Sequence, residues 1–123
     1  VILVDTSVWI DHLRSGDAIL AGLLDAGQVL SHPFIIGELA LGNLRQRQRV
    51  LADLLELPQA FAAGDDEVLH FIHRAGLFGI GIGYLDAHLL AATRLTQGAA
   101  LWTRDKRLSA AAERLSLAAH VVH

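Results

Sequence analysis

Val1-Ile2-Leu3-Val4-Asp5-Thr6-Ser7 opens the chain as an unbroken apolar run that ends on an acid and two hydroxyls. A short run of this kind suits a strand covered on both faces, as in a parallel sheet. Thr6 or Ser7 is placed to cap a helix over 8–14. A second run, Ala99-Ala100-Leu101-Trp102-Thr103, is followed closely by Asp105. Further short strands are expected at 28–31, 58–61 and 117–122. Helices are expected at 17–25, 33–41, 45–55, 65–74, 85–96 and 105–115. Asp17, Gly27, Pro33, Gly42-Asn43, Pro58, Asp65 or Asp66, Gly83 and Gly98 supply their start and stop signals. Strands alternating with helices imply βαβ units. The reading is an α/β fold, a three-layer sandwich with a central parallel five-stranded sheet and helices on both faces, with residues 1–123 as a single domain. In such sheets ligands bind beyond the carboxyl ends of the strands, where strand order reverses. Asp5 and Asp105 both fall at carboxyl ends.

Apolar residues make up 53% of the chain, and the 11 glycines raise this to about 62%. That exceeds the ~45–50% usual for a soluble domain, so part of the apolar surface is expected to be covered by another chain. No uncharged apolar stretch approaches the ~18 residues of a membrane span. No basic segment leads into an apolar one at the start, so no secretory signal and no membrane contact are expected, and a cytoplasmic setting is. The absence of cysteine excludes disulfides and thiolate metal sites. A net charge of −3 argues at first against a nucleic-acid partner. Were four acids committed to a metal, 10 basic residues would face nine remaining acids, and local basic clusters would matter more than the total.

Four acids occupy positions where a lone acid is awkward. Asp5 ends the first strand, and Asp105 follows the 99–103 strand. Glu38 interrupts Phe34-Ile35-Ile36-Gly37-Glu38-Leu39-Ala40-Leu41, and Asp86 lies in Tyr84-Leu85-Asp86-Ala87-His88-Leu89-Leu90. An ionised carboxylate among apolar neighbours is costly unless something pairs with it. Each acid has a plainer role open to it. Asp5 and Asp105 could cap helices, Asp86 could sit in a first turn where the dipole favours it, and Glu38 could belong to a buried ion pair. Ile35 and Leu41 around Glu38, and Leu89 and Leu90 beyond Asp86, turn both acids toward packed surface. Together the four suit a divalent cation, which holds crowded carboxylates ionised where some would otherwise take up protons. All-oxygen ligands favour Mg²⁺ or Mn²⁺. Such an ion lowers the pKa of a bound water and polarises a phosphoryl group, which makes a phosphodiester the natural substrate. Thr6, Ser7 and Thr103 adjoin these acids and are supporting candidates; capping and turn formation are their alternative role.

These residues lie in four segments that together resemble the PIN-domain ribonucleases, specifically the VapC-type toxins of toxin–antitoxin pairs. Val1-Ile2-Leu3-Val4-Asp5-Thr6-Ser7-Val8-Trp9-Ile10 is similar to the family's first motif, and Ile36-Gly37-Glu38-Leu39 to its second. Leu85-Asp86-Ala87-His88-Leu89-Leu90-Ala91-Ala92-Thr93 resembles the third and Leu101-Trp102-Thr103-Arg104-Asp105-Lys106 the fourth. The likeness spans nearly the whole chain in the family's order. His88, where a smaller residue is common, is a departure that leaves the acid pattern intact. The resemblance implies a PIN-like sheet in the order 3-2-1-4-5 and places Asp5, Glu38, Asp86 and Asp105 at one metal-binding cleft. It implies Mg²⁺- or Mn²⁺-dependent endonuclease action on RNA. It further implies a homodimer, a small antitoxin whose tail blocks the cleft, and possible assembly into a larger toxin–antitoxin hetero-oligomer.

Two basic clusters are candidates for RNA contact: Arg45, Arg47 and Arg49 in one, Arg104, Lys106 and Arg107 in the other. A solvated helix face is the plainer account of the first. His70 and His73 stand three apart on one helix, without a third ligand nearby, and read as ordinary histidines. Gly76, Gly79, Gly81 and Gly83 match neither a dinucleotide fingerprint nor a P-loop, and are read as shaping the loop before the long helix. Three rivals remain. A phosphoacceptor receiver domain would need Thr103 and Lys106 on separate strands. An aspartyl phosphatase would need an acid where Ser7 stands. A non-catalytic PIN-like scaffold would be expected to have lost acids that are all present here.

Overall fold

The computed structural model describes residues 1–121. Its elements follow one another as β1 (Ile2–Val4), α1 (Thr6–Ser15), α2 (Ala18–Asp25), β2 (Val29–Leu30), α3 (Pro33–Ala40), α4 (Arg47–Glu56), α5 (Asp65–Ala75), α6 (Tyr84–Leu95), β3 (Ala100–Trp102) and α7 (Lys106–Arg114). The sheet is parallel in the order β2-β1-β3, with Ile2 opposite Val29 on one side and Ala100 on the other. Successive strand residues point to opposite faces. Leu3 and Val4 are both fully buried, as are Leu101 and Trp102 to within a few per cent, so both faces of the sheet are covered. The chain passes from β1 to β2 on one side and reaches β3 on the other, so strand order reverses between the carboxyl ends of β1 and β3. Among the described residues no helix is long and apolar enough to cross a membrane.

Only three strands form ladders, against the five expected. The two outer positions are single parallel bridges, Ser31 with Gln59 and Leu101 with Ala118. They fall outside β2 and β3, in the order 3-2-1-4-5, but neither extends. Pro58 accepts the Ser31 N–H at 2.9 Å yet has no N–H to continue the ladder. Leu117 still donates its N–H to Ala112 as α7 ends, so the chain has barely left the helix when it meets β3. Val122, the last residue of the expected final strand, lies outside the described residues.

Helix starts follow the signals only in part. Asp17 caps α2, accepting from the N–H groups of Ile19 and Leu20. Thr6 and Ser7 do not cap α1; Asp5 holds the N-cap position and both hydroxyls lie inside the first turn. Asp65 is the first residue of α5, behind Gly64, and Gly83 precedes α6, as expected. Pro33 takes the first helical position of α3, as its fixed φ and missing N–H allow. Its cap is His32, whose Nδ1 accepts the Phe34 N–H at 3.0 Å.

His32 is 1% exposed, and its Nε2 finds no partner among the described residues. Burial, reinforced by nearby His88, lowers its pKa from 6.5 to about 4. Above pH 6.5 the ring is neutral in both the folded and the unfolded chain. As pH falls from 6.5 toward 4, the unfolded chain gains a proton that the folded chain refuses, so stability declines over that window. The loss is at most about 3 kcal/mol. Asparagine retains a capping acceptor. His32→Asn is therefore expected to be less stable than wild type at pH 7, with the gap in urea-unfolding free energy closing as pH approaches 4. A gap that does not change with pH would exclude His32 as the titrating group.

Candidate active site

The β1–β3 register builds the floor of the site. Val4 lies opposite Trp102, and the Asp5 N–H donates to the Trp102 carbonyl at 2.9 Å. One step further, Asp5 meets Thr103. Asp5 is 7% exposed, and a buried carboxylate needs donors. It has two: Ser7 Oγ and Thr103 Oγ1 both donate to its Oδ2 at 2.8 Å. Ser7 Oγ accepts the Arg104 N–H at 3.0 Å, and Thr103 Oγ1 accepts the Asp105 N–H at 3.1 Å. The two hydroxyls, 96 positions apart in the chain, thus join the ends of β1 and β3.

The other three acids stand around this floor. Glu38, on α3, accepts from Thr6 Oγ1 at 2.8 Å through its Oε1. It is exposed, which corrects the expectation that it faces packed surface. Leu41, which suggested that facing, lies beyond the last turn of α3 and is 91% exposed. Asp86 is half-buried in the first turn of α6, and its Oδ2 accepts the Gly83 N–H at 3.1 Å. Burial raises its pKa and the Gly83 bond partly opposes this; repulsion from Asp5 and Asp105 adds to the rise. Asp86 thus feels the charge of both Asp5 and Asp105. Asp105 caps α7, accepting the Leu108 N–H at 2.9 Å through Oδ1.

The four acids therefore share one pattern. Each commits one oxygen to a hydrogen bond within the chain, and the other (Oδ1 of Asp5 and Asp86, Oδ2 of Asp105, Oε2 of Glu38) has no partner among the described residues. None of the four forms an ion pair among those residues, so the buried salt bridge considered for Glu38 is not made. The donor set is all oxygen and suits a hard cation. Among the described residues no three acidic or imidazole side chains converge tightly enough to ligate one ion together. A hard ion that keeps much of its water shell, as Mg²⁺ does, fits that open spacing; a cage built wholly of protein does not.

The six basic candidates divide. Arg104 is an internal tie, its guanidinium held by Asp11 and Asp17. Arg47 commits Nε and Nη2 to the Ala40 carbonyl at the end of α3. Arg45, Arg49, Lys106 and Arg107 are exposed and make no hydrogen bond or ion pair among the described residues. Arg107 packs against the glycine loop. Gly81 has φ +85°, and a Cβ there would come within 2.6 Å of Arg107 Nη1. Gly81 is glycine for its conformation; the exposed Arg107 side chain could move aside for a Cβ. His70 and His73 are exposed, as read.

Two histidines, His32 and His88, carry structural roles not expected of them. His88 is 2% exposed, and its Nε2 lies 3.1 Å from Asp65 Oδ1, which also accepts from Tyr84 OH at 2.7 Å. These bonds, Tyr84 first, lower the Asp65 pKa and raise that of Tyr84. His88 also packs edge-on against Phe34, and Phe34 against His32, which ties α6 to α3 beside the acids. The i, i+4 spacing of Tyr84 and His88 was visible in the sequence; their shared partner on α5 was not.

Sequence comparison identifies the family. A family model described as PIN domain matches residues 2–114. Two curated proteins, each named Ribonuclease VapC32, come from Mycobacterium tuberculosis strains CDC 1551 / Oshkosh and ATCC 25618 / H37Rv. Each is 53% identical to the chain over 110 residues, covering 89% of either sequence. With the matched span running from β1 to the end of α7 and carrying all four acids, this chain belongs to the PIN domain family.

Proposed function

We propose that the chain is a metal-dependent endoribonuclease, the toxin of a toxin–antitoxin pair, and that residues 1–123 act as one cytoplasmic nuclease domain. The observation that carries this reading is the set of four carboxylates without an ion pair among the described residues, drawn from four distant segments, each with one oxygen hydrogen-bonded and the other without a partner among those residues. The name ribonuclease on relatives 53% identical over most of the chain supports RNA as the substrate.

Asp5, Asp86 and Asp105 would hold Mg²⁺ or Mn²⁺ directly or through the ion's own waters, with Glu38 completing the set. When bound, the ion supplies a water of lowered pKa and polarises a phosphoryl oxygen. The chain's own residues position and exchange protons. Ser7 and Thr103 fix the Asp5 carboxylate so that its free oxygen keeps one direction. Thr6 does the same for Glu38, whose free oxygen accepts the proton of the attacking water. Water adds to phosphorus in line and the bond to the 3′ oxygen breaks; that oxygen takes a proton from solvent, leaving a 5′-phosphate and a 3′-hydroxyl. The RNA 2′-hydroxyl takes no part as nucleophile. A second copy of the chain and a small antitoxin are the proposed protein partners, with a larger hetero-oligomer as their assembly. Exposed Leu41, Leu55 and Phe78 are among the apolar side chains such contacts would cover.

Asp5→Asn keeps the size of the side chain and removes the charge. RNA cleavage with Mg²⁺ or Mn²⁺ is expected to fall by about 100-fold or more, a loss typical of removing a preorganised electrostatic group. Equal activity in the variant would remove the core of the proposal, and an inert wild type would favour a non-catalytic scaffold. End-sequencing of cleaved RNA should find 5′-phosphates; 2′,3′-cyclic ends would contradict attack by water.

Arg107, two residues past Asp105, has a guanidinium with no hydrogen bond or ion pair among the described residues. As a phosphate contact it would release about one counterion. Arg107→Ala should then lower the slope of log affinity against log salt by about 0.7 on single-stranded RNA. An unchanged slope would remove Arg107 from the RNA path.

A further inference from the structure

Arg104 stands between Thr103 and Asp105, two residues of the proposed site, yet its charge is committed elsewhere. Nη1 donates to Asp11 Oδ2 on α1, and Nη2 donates to Asp17 Oδ2 at 2.8 Å. Its backbone N–H donates to Ser7 Oγ, the hydroxyl that holds Asp5. Asp17 is itself immobile. It is 9% exposed, its Oδ1 caps α2 through the N–H groups of Ile19 and Leu20, and its own N–H donates to His12 Nδ1. The carboxylate cannot follow the guanidinium away without uncapping the helix. Withdrawing Arg104 toward a phosphate would pull a guanidinium off a buried carboxylate that cannot follow it, which is the costly way to break such a pair.

We infer that Arg104 is a positioning residue: by gripping Asp17 and Asp11 it clamps the loop between β3 and α7 onto the α1–α2 corner. The clamp holds Thr103 Oγ1 on Asp5 and Asp105 within the field of Asp86. Three consecutive residues are each anchored to a different place: Thr103 to Asp5, Arg104 to Asp17 and Asp11, and Asp105 to the α7 N-terminus. Only the middle anchor reaches outside the site. It is the one that sets where the loop lies relative to α1 and α2. Arginine is required because its planar fork meets two carboxylates at once, which a lysine ammonium does not reproduce.

The inference rests on the metal-site reading, and the test separates the two. Arg104→Ala removes the clamp. Asp17→Asn removes the partner charge while keeping an N-cap acceptor, so α2 stays capped. Both are compared with wild type for single-turnover cleavage of an RNA oligonucleotide, Mn²⁺ affinity by electron paramagnetic resonance, and the salt dependence of RNA binding. Each variant is expected to lower the cleavage rate and the Mn²⁺ affinity by about 10- to 100-fold, the usual effect of losing a residue that orients metal ligands. RNA KM and salt slope should stay at wild-type values, Arg104→Lys should not restore the rate, and the double variant should be no worse than either single one. A raised KM with a salt slope lower by about 0.7 in Arg104→Ala, and tighter RNA binding by Asp17→Asn, would overturn the clamp in favour of a phosphate contact. Unchanged rate and Mn²⁺ affinity in both variants would also overturn it. A wild type that binds Mn²⁺, loses affinity in both variants and cleaves no RNA would sink the nuclease reading and sustain the clamp.

Discussion

The site depends on one pairing, the parallel register of β1 on β3. With Val4 opposite Trp102, Asp5 has Thr103 for a neighbour, and the two hydroxyl bonds to its carboxylate become geometrically possible. A slip of one residue would reverse every side chain on β1 and set Asp5 beside Trp102 or Arg104. The register is held by burial on both faces of the sheet, through Leu3, Val4, Leu101 and Trp102. Apolar packing therefore decides where the acids stand, and the reversal of strand order between β1 and β3 brings the carboxyl ends that carry Asp5 and Asp105 side by side.

Much of this was legible because it rests on local pattern. Apolar runs that stop at an acid mark both β1 and β3, and Asp17 and Pro33 mark the starts of α2 and α3 as capping chemistry requires. The illegible parts share a cause, dependence on a partner far along the chain. Nothing near Arg104 in sequence announces Asp11 and Asp17, which lie 93 and 87 positions away. Nothing near His88 announces Asp65. His32 as a cap was missed because a ring nitrogen in that position is uncommon beside Ser, Thr, Asp and Asn. The outer strands were overcalled for another reason: propensity over 58–61 and 117–121 is real, but Pro58 and the late exit from α7 leave each segment a single bridge. Glu38 was misplaced because an apolar neighbour just past a helix end was counted as part of its buried stripe.

The disposition of charge separates a ligand site from a structural ion-pair network. Arginines are close at hand in sequence, at 104 and 107, and either could neutralise an acid of the cleft. Neither does so among the described residues: Arg104 is drawn off to Asp11 and Asp17, and Arg107 is packed against Gly81. What stabilises the acids instead is neutral. Hydroxyls serve Asp5 and Glu38, and backbone N–H groups serve Asp86 and Asp105. Neutral donors satisfy one oxygen without cancelling the charge, so the carboxylates continue to repel one another, as the raised Asp86 pKa records after its burial is counted. A fold selected only for stability would relieve that repulsion with a nearby guanidinium, whose bidentate pairing is among the stronger polar contacts available. Here the guanidinium of Arg104 is used to fix the loop on which one of those acids sits, and the negative charge of the cleft is preserved.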